Sequence, residues 1–131
     1  MTPTPDTLQA ALAEQSIELP EKQIELLERY CSLLWEWNAK INLTRHGDYH
    51  KFVARDLVDC RAFEQCLERD ERILDVGTGG GVPGVPLAIL RDDLRVTLSE
   101  SIGKKARAVA DIVERLGIDV PVHHGRAEEL L

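Results

Sequence analysis

The chain has 131 residues, 44% apolar and 30% charged, which suits one ordinary domain or one domain with a helical appendage and excludes two full domains. No apolar run reaches the roughly 18 residues of a membrane helix and no signal peptide opens the chain, so a cytoplasmic protein with no membrane partner is expected. A net charge of −7 argues against broad, nonspecific nucleic-acid binding but leaves room for a local basic patch.

In chain order, Met1 to Pro5 reads as a frayed terminus. Asp6 is placed to cap a first helix running to about Gln15, with Leu8, Ala11 and Leu12 on its inner side. Pro20 and Glu21 open a longer helix to about Lys40. Its apolar stripe of Ile24, Leu27, Cys31, Leu34 and Trp35 is widened by Leu26, Tyr30, Leu33 and Trp37, which makes both tryptophans packing residues rather than base-stacking ones. Ile41 to Thr44 breaks the period. Asp48 then caps a third helix through about Leu67, so that three helices form a cap ahead of a glycine-rich loop. The segment Lys40 to Arg55 carries Lys40, Arg45, Lys51 and Arg55 with His46 and His50 against one acid, Asp48. Those four cations are the candidate RNA contacts, against the plainer reading of a solvated interhelical connection. Cys31, Cys60 and Cys66 match no zinc or CxxC spacing, so reduced, packed thiols and no metal are expected.

From Arg72 the period changes. Ile73 to Val76 reads as a buried strand, Val85 to Arg91 as a short helix, Leu94 to Glu100 as a strand, Ile102 to Leu116 as a helix stopped by Gly117, and Val120 to His123 as a third strand. Strand, helix, strand, helix, strand with short links is one nucleotide-binding half of a doubly wound parallel sheet. Between the first strand and its helix lies Asp75-Val76-Gly77-Thr78-Gly79-Gly80-Gly81-Val82-Pro83-Gly84-Val85-Pro86. Pro83 suits a first helical turn, where a missing N–H costs nothing.

Two cofactor classes fit these glycines. Gly79-x-Gly81-x-x-Gly84 satisfies the dinucleotide pattern, with Glu100 about 20 residues on to hold ribose hydroxyls. Asp75 speaks against it, because a carboxylate ~4 Å from a pyrophosphate at an effective dielectric of ~20 is repelled by about 4 kcal/mol. S-adenosylmethionine has an ammonium, a sulfonium and no phosphate. Asp75-x-Gly77-x-Gly79-x-Gly81 with Glu100 at the second strand's tip suits it, the two acids serving the two ends of the cofactor. The plainer reading is that Asp75 caps the turn and Glu100 is a surface acid. No Lys-Ser or Lys-Thr follows the glycines, so a phosphate-binding P-loop is not expected.

With these residues the chain resembles the bacterial small-subunit ribosomal RNA guanine-N7 methyltransferases, the glucose-inhibited division protein B family. The resemblance rests on Trp37-Asn38 with Asn42-Leu43-Thr44, Leu74 to Leu87, Glu100-Ser101-x-Gly103-Lys104-Lys105, and Gly125 to Glu129, with Val82-Pro83-Gly84-Val85-Pro86 its most specific part. It implies a Rossmann-like class I methyltransferase fold and S-adenosylmethionine as cofactor, with Gly77 and Val82 on its methionine side, Glu100 at the ribose, and Ala127 and Glu128 bordering the adenine. It also implies methyl transfer to guanine N7 of 16S rRNA, with free RNA or the small ribosomal subunit as partner. N7 carries a free lone pair, so no catalytic base is expected, and His123 and His124 read as packing or surface groups. Residues 1–70 are then the cap and 71–131 a partial cofactor-binding domain. Members of that family continue with further strands and a further arginine at the cofactor, so the chain reads as an N-terminal part, ending in a helix from Ala127 that is cut off without a cap. Two alternatives stay open at this point: a noncatalytic cofactor-binding or interaction module, and an NAD(P)-dependent oxidoreductase.

Overall fold

The computed structural model describes residues 5–131. All but the last residue of the expected frayed terminus lie outside that range. The helical cap comprises α1 (Leu8–Glu14), α2 (Glu21–Asn38), α3 (Tyr49–Phe52), a π-helical turn (Val53–Leu57) and α4 (Val58–Glu64). The second part comprises β1 (Arg72–Val76), α5 (Gly84–Leu90), β2 (Arg95–Glu100), α6 (Gly103–Leu116), β3 (Val122–His124) and a 3-10 turn (Ala127–Leu130). This is the expected α/β architecture, a helical cap ahead of half of a Rossmann-like parallel sheet.

The sheet has the order β1-β2-β3, all parallel. Sequential order with right-handed crossovers puts α5 and α6 on one face of the sheet. Asp75 pairs in register with Leu98, so both side chains point to that helical face. Val85, Leu87, Ile89, Val109, Ile112 and Val113 bury there against Val96 and Leu98. On the opposite face Val76 remains 62% exposed. The outer edge of β1 has no neighbouring strand among the described residues.

In α2 the buried residues Leu27, Tyr30, Cys31 and Leu34 recur at i, i+3, i+4 and i+7, and this stripe closes the cap onto α5 and α6. Burying each such leucine contributes roughly 1.5–3 kcal/mol. Polar bonds fix the register of the contact. Trp37 Nε1 donates to Asp111 Oδ2 on α6 at 2.8 Å, and Arg115 pairs with Glu36 at 3.1 Å. At the other end of the cap, Arg91 donates to the carbonyl of Glu64, the last residue of α4, and to those of Leu67 and Glu68 beyond it. Its guanidinium is held by Asp93, whose carboxyl that bond keeps far below the ordinary range.

Asp48 caps α3 by accepting from Lys51 N at 2.8 Å, and Gly117 ends α6 at φ 70°, both as expected. Three features differ. Thr7, not Asp6, caps α1, because Asp6 reaches across to accept from Tyr49 N at 2.9 Å. The third helix is interrupted by the π-helical turn, in which Val58 N–H reaches back to Val53 O. Ala127 to Leu130 is a single 3-10 turn closed by its own cap, with Glu129 Oε1 accepting from Arg126 N at 2.7 Å. Cys31 and Cys60 are packed as expected, and burial raises their pKa values, that of Cys60 to about 12; Cys66 is exposed, which corrects the expectation of a packed thiol there.

Candidate functional site

Open parallel sheets bind ligands outside the carboxyl ends of their strands, where the loops diverge. Here that position is taken by residues 77–83. Gly77 and Gly79 stand at φ 66° and 58°, a left-handed backbone that side chains strain to adopt, and a Cβ at either would project into open space. They form a ridge with a cleft on each side. One cleft, of about 310 Å3, is lined by Val76, Gly77, Ser99, Ser101, Arg126, Ala127 and Glu128. The other, of about 550 Å3, lies between loop and cap, against Leu43, Thr44, Arg45, His46, Arg55, Asp56, Gly77, Gly79 and Val82. Gly77 belongs to both, so a ligand longer than either cleft can cross the ridge there. Larger hollows beside α1 and α2 lie away from the carboxyl ends of the strands.

The expected cofactor residues divide into two groups. Gly77, Gly79, Val82, Ala127 and Glu128 line a cleft. Asp75, Gly81 and Glu100 line neither and instead hold the loop. Asp75 is 8% exposed, and its Oδ2 accepts from Thr78 Oγ1 at 2.8 Å and Gly84 N at 2.9 Å. Burial raises its pKa, those two bonds oppose the rise, and the charge of Glu100 adds to it. The carboxylate expected to face a cationic cofactor is directed into the loop in this structure. Strand alternation turns Asp75 towards α5, where it caps the turn. Glu100, 5% exposed, accepts from Gly79 N at 2.8 Å and from Ile102 N at 3.0 Å, tying the loop to the start of α6. Gly81 packs against Val85, Val109 and Tyr30.

This arrangement bears on the dinucleotide alternative. A pyrophosphate docks on the free N–H groups of the helix that follows the glycine loop. In this chain Gly84 N, at the start of that helix, is already held by the Asp75 carboxylate. The anion-binding position is filled by the protein's own anion.

Of the four candidate RNA contacts, Arg45 and Arg55 line the cap-side cleft. Lys40 does not; its Nζ lies 5.1 Å from the centre of the Trp37 ring. Lys51 sits beside Asp48 at 4.0 Å, outside the cleft. His123 and His124 line neither cleft. His123 Nε2 is 3.5 Å from Glu129 Oε1, against the 3-10 turn.

Several residues at the site were not singled out from the sequence. Tyr30 is fully buried and donates from its hydroxyl to Gly80 O at 2.7 Å, fastening the loop to the cap. Thr78 supports Asp75. His46, 4% exposed, accepts from Trp35 Nε1 at 3.1 Å and meets Asp56 Oδ2 at 2.7 Å. Asp56 follows directly after the basic segment, and a scan for clustered cations passes over it. Among the described residues, no group of three or more His, Cys, Asp or Glu could hold a metal ion, and no helix is long and apolar enough to cross a membrane.

Residues 23–131 match the family described as rRNA small subunit methyltransferase G. The ribosomal RNA small subunit methyltransferase G of Rhodopirellula baltica is 46% identical over 121 residues, covering 92% of this chain and 52% of the relative. The protein of that name from Chromobacterium violaceum is 42% identical, covering 85% of this chain and 53% of its own length. The one from Lactococcus lactis subsp. lactis is 38% identical, covering 96% and 55%. The chain spans about half the length of the curated relatives it matches.

Proposed function

The chain belongs to the rRNA small subunit methyltransferase G family, and on that premise we propose that it forms the cofactor-binding part of an S-adenosylmethionine-dependent methyltransferase acting on guanine N7 of 16S rRNA in the cytoplasm. The observation that carries this reading is the glycine ridge with a cleft on either side, meeting at Gly77. Residues 1–70 serve as the cap and 71–131 as the cofactor domain.

The adenosine end belongs in the cleft between Ser99, Ser101, Ala127 and Glu128, and the methionine end crosses Gly77 towards Val82. When bound, the cofactor supplies an activated methyl group on a sulfonium centre. The protein's own contribution is positional. Asp75, Glu100 and Tyr30 hold the backbone of residues 77–84 in one shape, so that little reorganisation remains when reactants meet. Guanine N7 has its lone pair available, and the site needs no group to remove a proton. The basic side chains Lys40, Arg45, Lys51 and Arg55 lie on the cap, where RNA phosphates from the small subunit would approach. Glu100 reaches a ribose only through lone pairs left over from its two main-chain bonds.

Calorimetry of the chain with S-adenosylhomocysteine and with NADH tests the reading. Binding of the first and not the second is expected. Binding of NADH without S-adenosylhomocysteine overturns it. Methyl incorporation into undermethylated small-subunit RNA, with and without a C-terminal half supplied from a relative, tests the reaction itself.

A further inference from the structure

S-adenosylmethionine ends in an amino acid, a zwitterion whose ammonium needs an anion and whose carboxylate needs a cation. Asp75 and Glu100 are turned into the loop and line neither cleft. The charged side chains that line the cleft with Gly77 and Val82 come from the cap, and they carry both signs: Arg45, Arg55 and Asp56, with Asp59 beside Val82 in the adjoining hollow. We propose that the π-helical turn of the cap forms the receptor for the amino-acid end of the cofactor, Asp56 taking the ammonium and Arg55 the carboxylate. This rests on the S-adenosyl reading above and assigns to it two residues outside the glycine loop.

The state of Asp56 follows from its neighbours. An indole N–H can only donate, so the 3.1 Å bond from Trp35 Nε1 requires His46 Nδ1 to be an unprotonated acceptor. The remaining ring proton then lies on Nε2 and is donated to Asp56 Oδ2 at 2.7 Å. His46 is therefore a neutral partner, which orients the carboxylate and leaves its negative charge uncompensated. The imidazole is itself held edge-on to Trp35, with ring centres 6.0 Å apart, and against Phe52 at 5.5 Å. Asp56 Oδ1 accepts no hydrogen bond among the described residues, and the side-chain partner of Asp56 there is the neutral His46, not the adjacent Arg55. An oriented anion with one free oxygen, beside an unneutralised cation, matches a zwitterion.

The backbone supports the same assignment. Arg55 and Asp56 are adjacent on the π-helical turn Val53–Leu57 and both line the cleft, while Val53 and Leu57 stay buried. Single π turns inside α-helices are frequent at functional positions.

The test compares S-adenosylhomocysteine, which has the amino acid, with 5′-methylthioadenosine, which keeps the adenosine and the thioether but lacks it. Both are titrated calorimetrically into the full chain and into Asp56→Asn and Arg55→Gln. Asparagine can still accept from His46 Nε2, and circular dichroism checks that each variant is folded. The wild-type chain is expected to bind S-adenosylhomocysteine at least about tenfold more tightly than methylthioadenosine. Asp56→Asn should weaken S-adenosylhomocysteine about tenfold and leave methylthioadenosine within about twofold, with a smaller loss of the same pattern for Arg55→Gln. Equal affinities for the two compounds in the wild type, or an unchanged S-adenosylhomocysteine affinity in folded Asp56→Asn, overturns the proposal while leaving the S-adenosyl reading intact. Binding of neither compound by the wild type overturns both.

Discussion

Residues 77–84 and residues 44–56 face each other across one cleft and are built in opposite ways. The glycine loop turns its polar side chains inward: Asp75, Thr78 and Glu100 all bond within the loop or to its flanks. The cap wall buries Phe52 and Val53 and sends Arg45, Arg55 and Asp56 to the cleft. The loop therefore supplies shape and the wall supplies charge. Changes in the first should be read out as stability, and changes in the charges of the second as ligand affinity.

Gly84→Val should break the loop outright. A Cβ at this position meets Leu98 Cδ2, which is fully buried, and Asp75 Oδ2 at 2.9 Å, so neither neighbour can yield without losing packing or the bond to Gly84 N. A loss of about 3 kcal/mol or more is expected, measured as a lower urea midpoint at unchanged slope. Tyr30→Phe tests the fastening between loop and cap more gently. It leaves Gly80 O without its buried donor and should cost about 1–3 kcal/mol, with weaker S-adenosylhomocysteine binding. A variant as stable as the wild type would show that packing alone seats the cap.

A pH titration reaches the far side of the cap. His50 lies between Pro5 O at 3.0 Å and Glu14 Oε2 at 2.7 Å, and these raise its pKa above 6.5, the backbone carbonyl most. Its folded value exceeds the unfolded one, so the contribution is complete below the unfolded pKa and fades as pH rises through the folded one. Hydrogen exchange in α1 should therefore quicken with rising pH, beyond the intrinsic trend, in the wild type and not in His50→Gln. Equal profiles in the two proteins would remove His50 from the account. The smallest effect belongs to the wall. Arg45→Gln should change stability by less than about 0.5 kcal/mol, because the side chain is exposed and has no ion-pair partner among the described residues. A larger loss would mean that the wall also carries shape.

Much of this architecture was legible because it depends on local patterns. The stripe of α2, the caps at Asp48 and Gly117, and the alternation of strand and helix after Arg72 each follow from a few neighbouring residues. The site was legible where main chain forms it, at Gly77 and Gly79, and in Arg45 and Arg55 of the basic segment, while Val82, Ala127 and Glu128 came with the family resemblance. Asp75 lies off both clefts because the strand's two-residue alternation pairs it with Leu98 on the helical face, a constraint that charge complementarity to a ligand does not contain. Asp56 was missed for a different reason. Its orientation depends on a π turn and on Trp35 and His46, residues 21 and 10 positions away, and no local period encodes that junction. The cap at Thr7 likewise lost to Asp6 in the sequence because the bond from Tyr49 N, 43 residues on, cannot be seen there.

The helix α2 touches the glycine loop through Tyr30 and the last crossover helix through Trp37, on a single rigid element. Two things that grip one lever cannot act independently. A ligand that favours the present shape of the loop must raise the free energy needed to lift the cap, and a load that lifts the cap must weaken that ligand by the same factor.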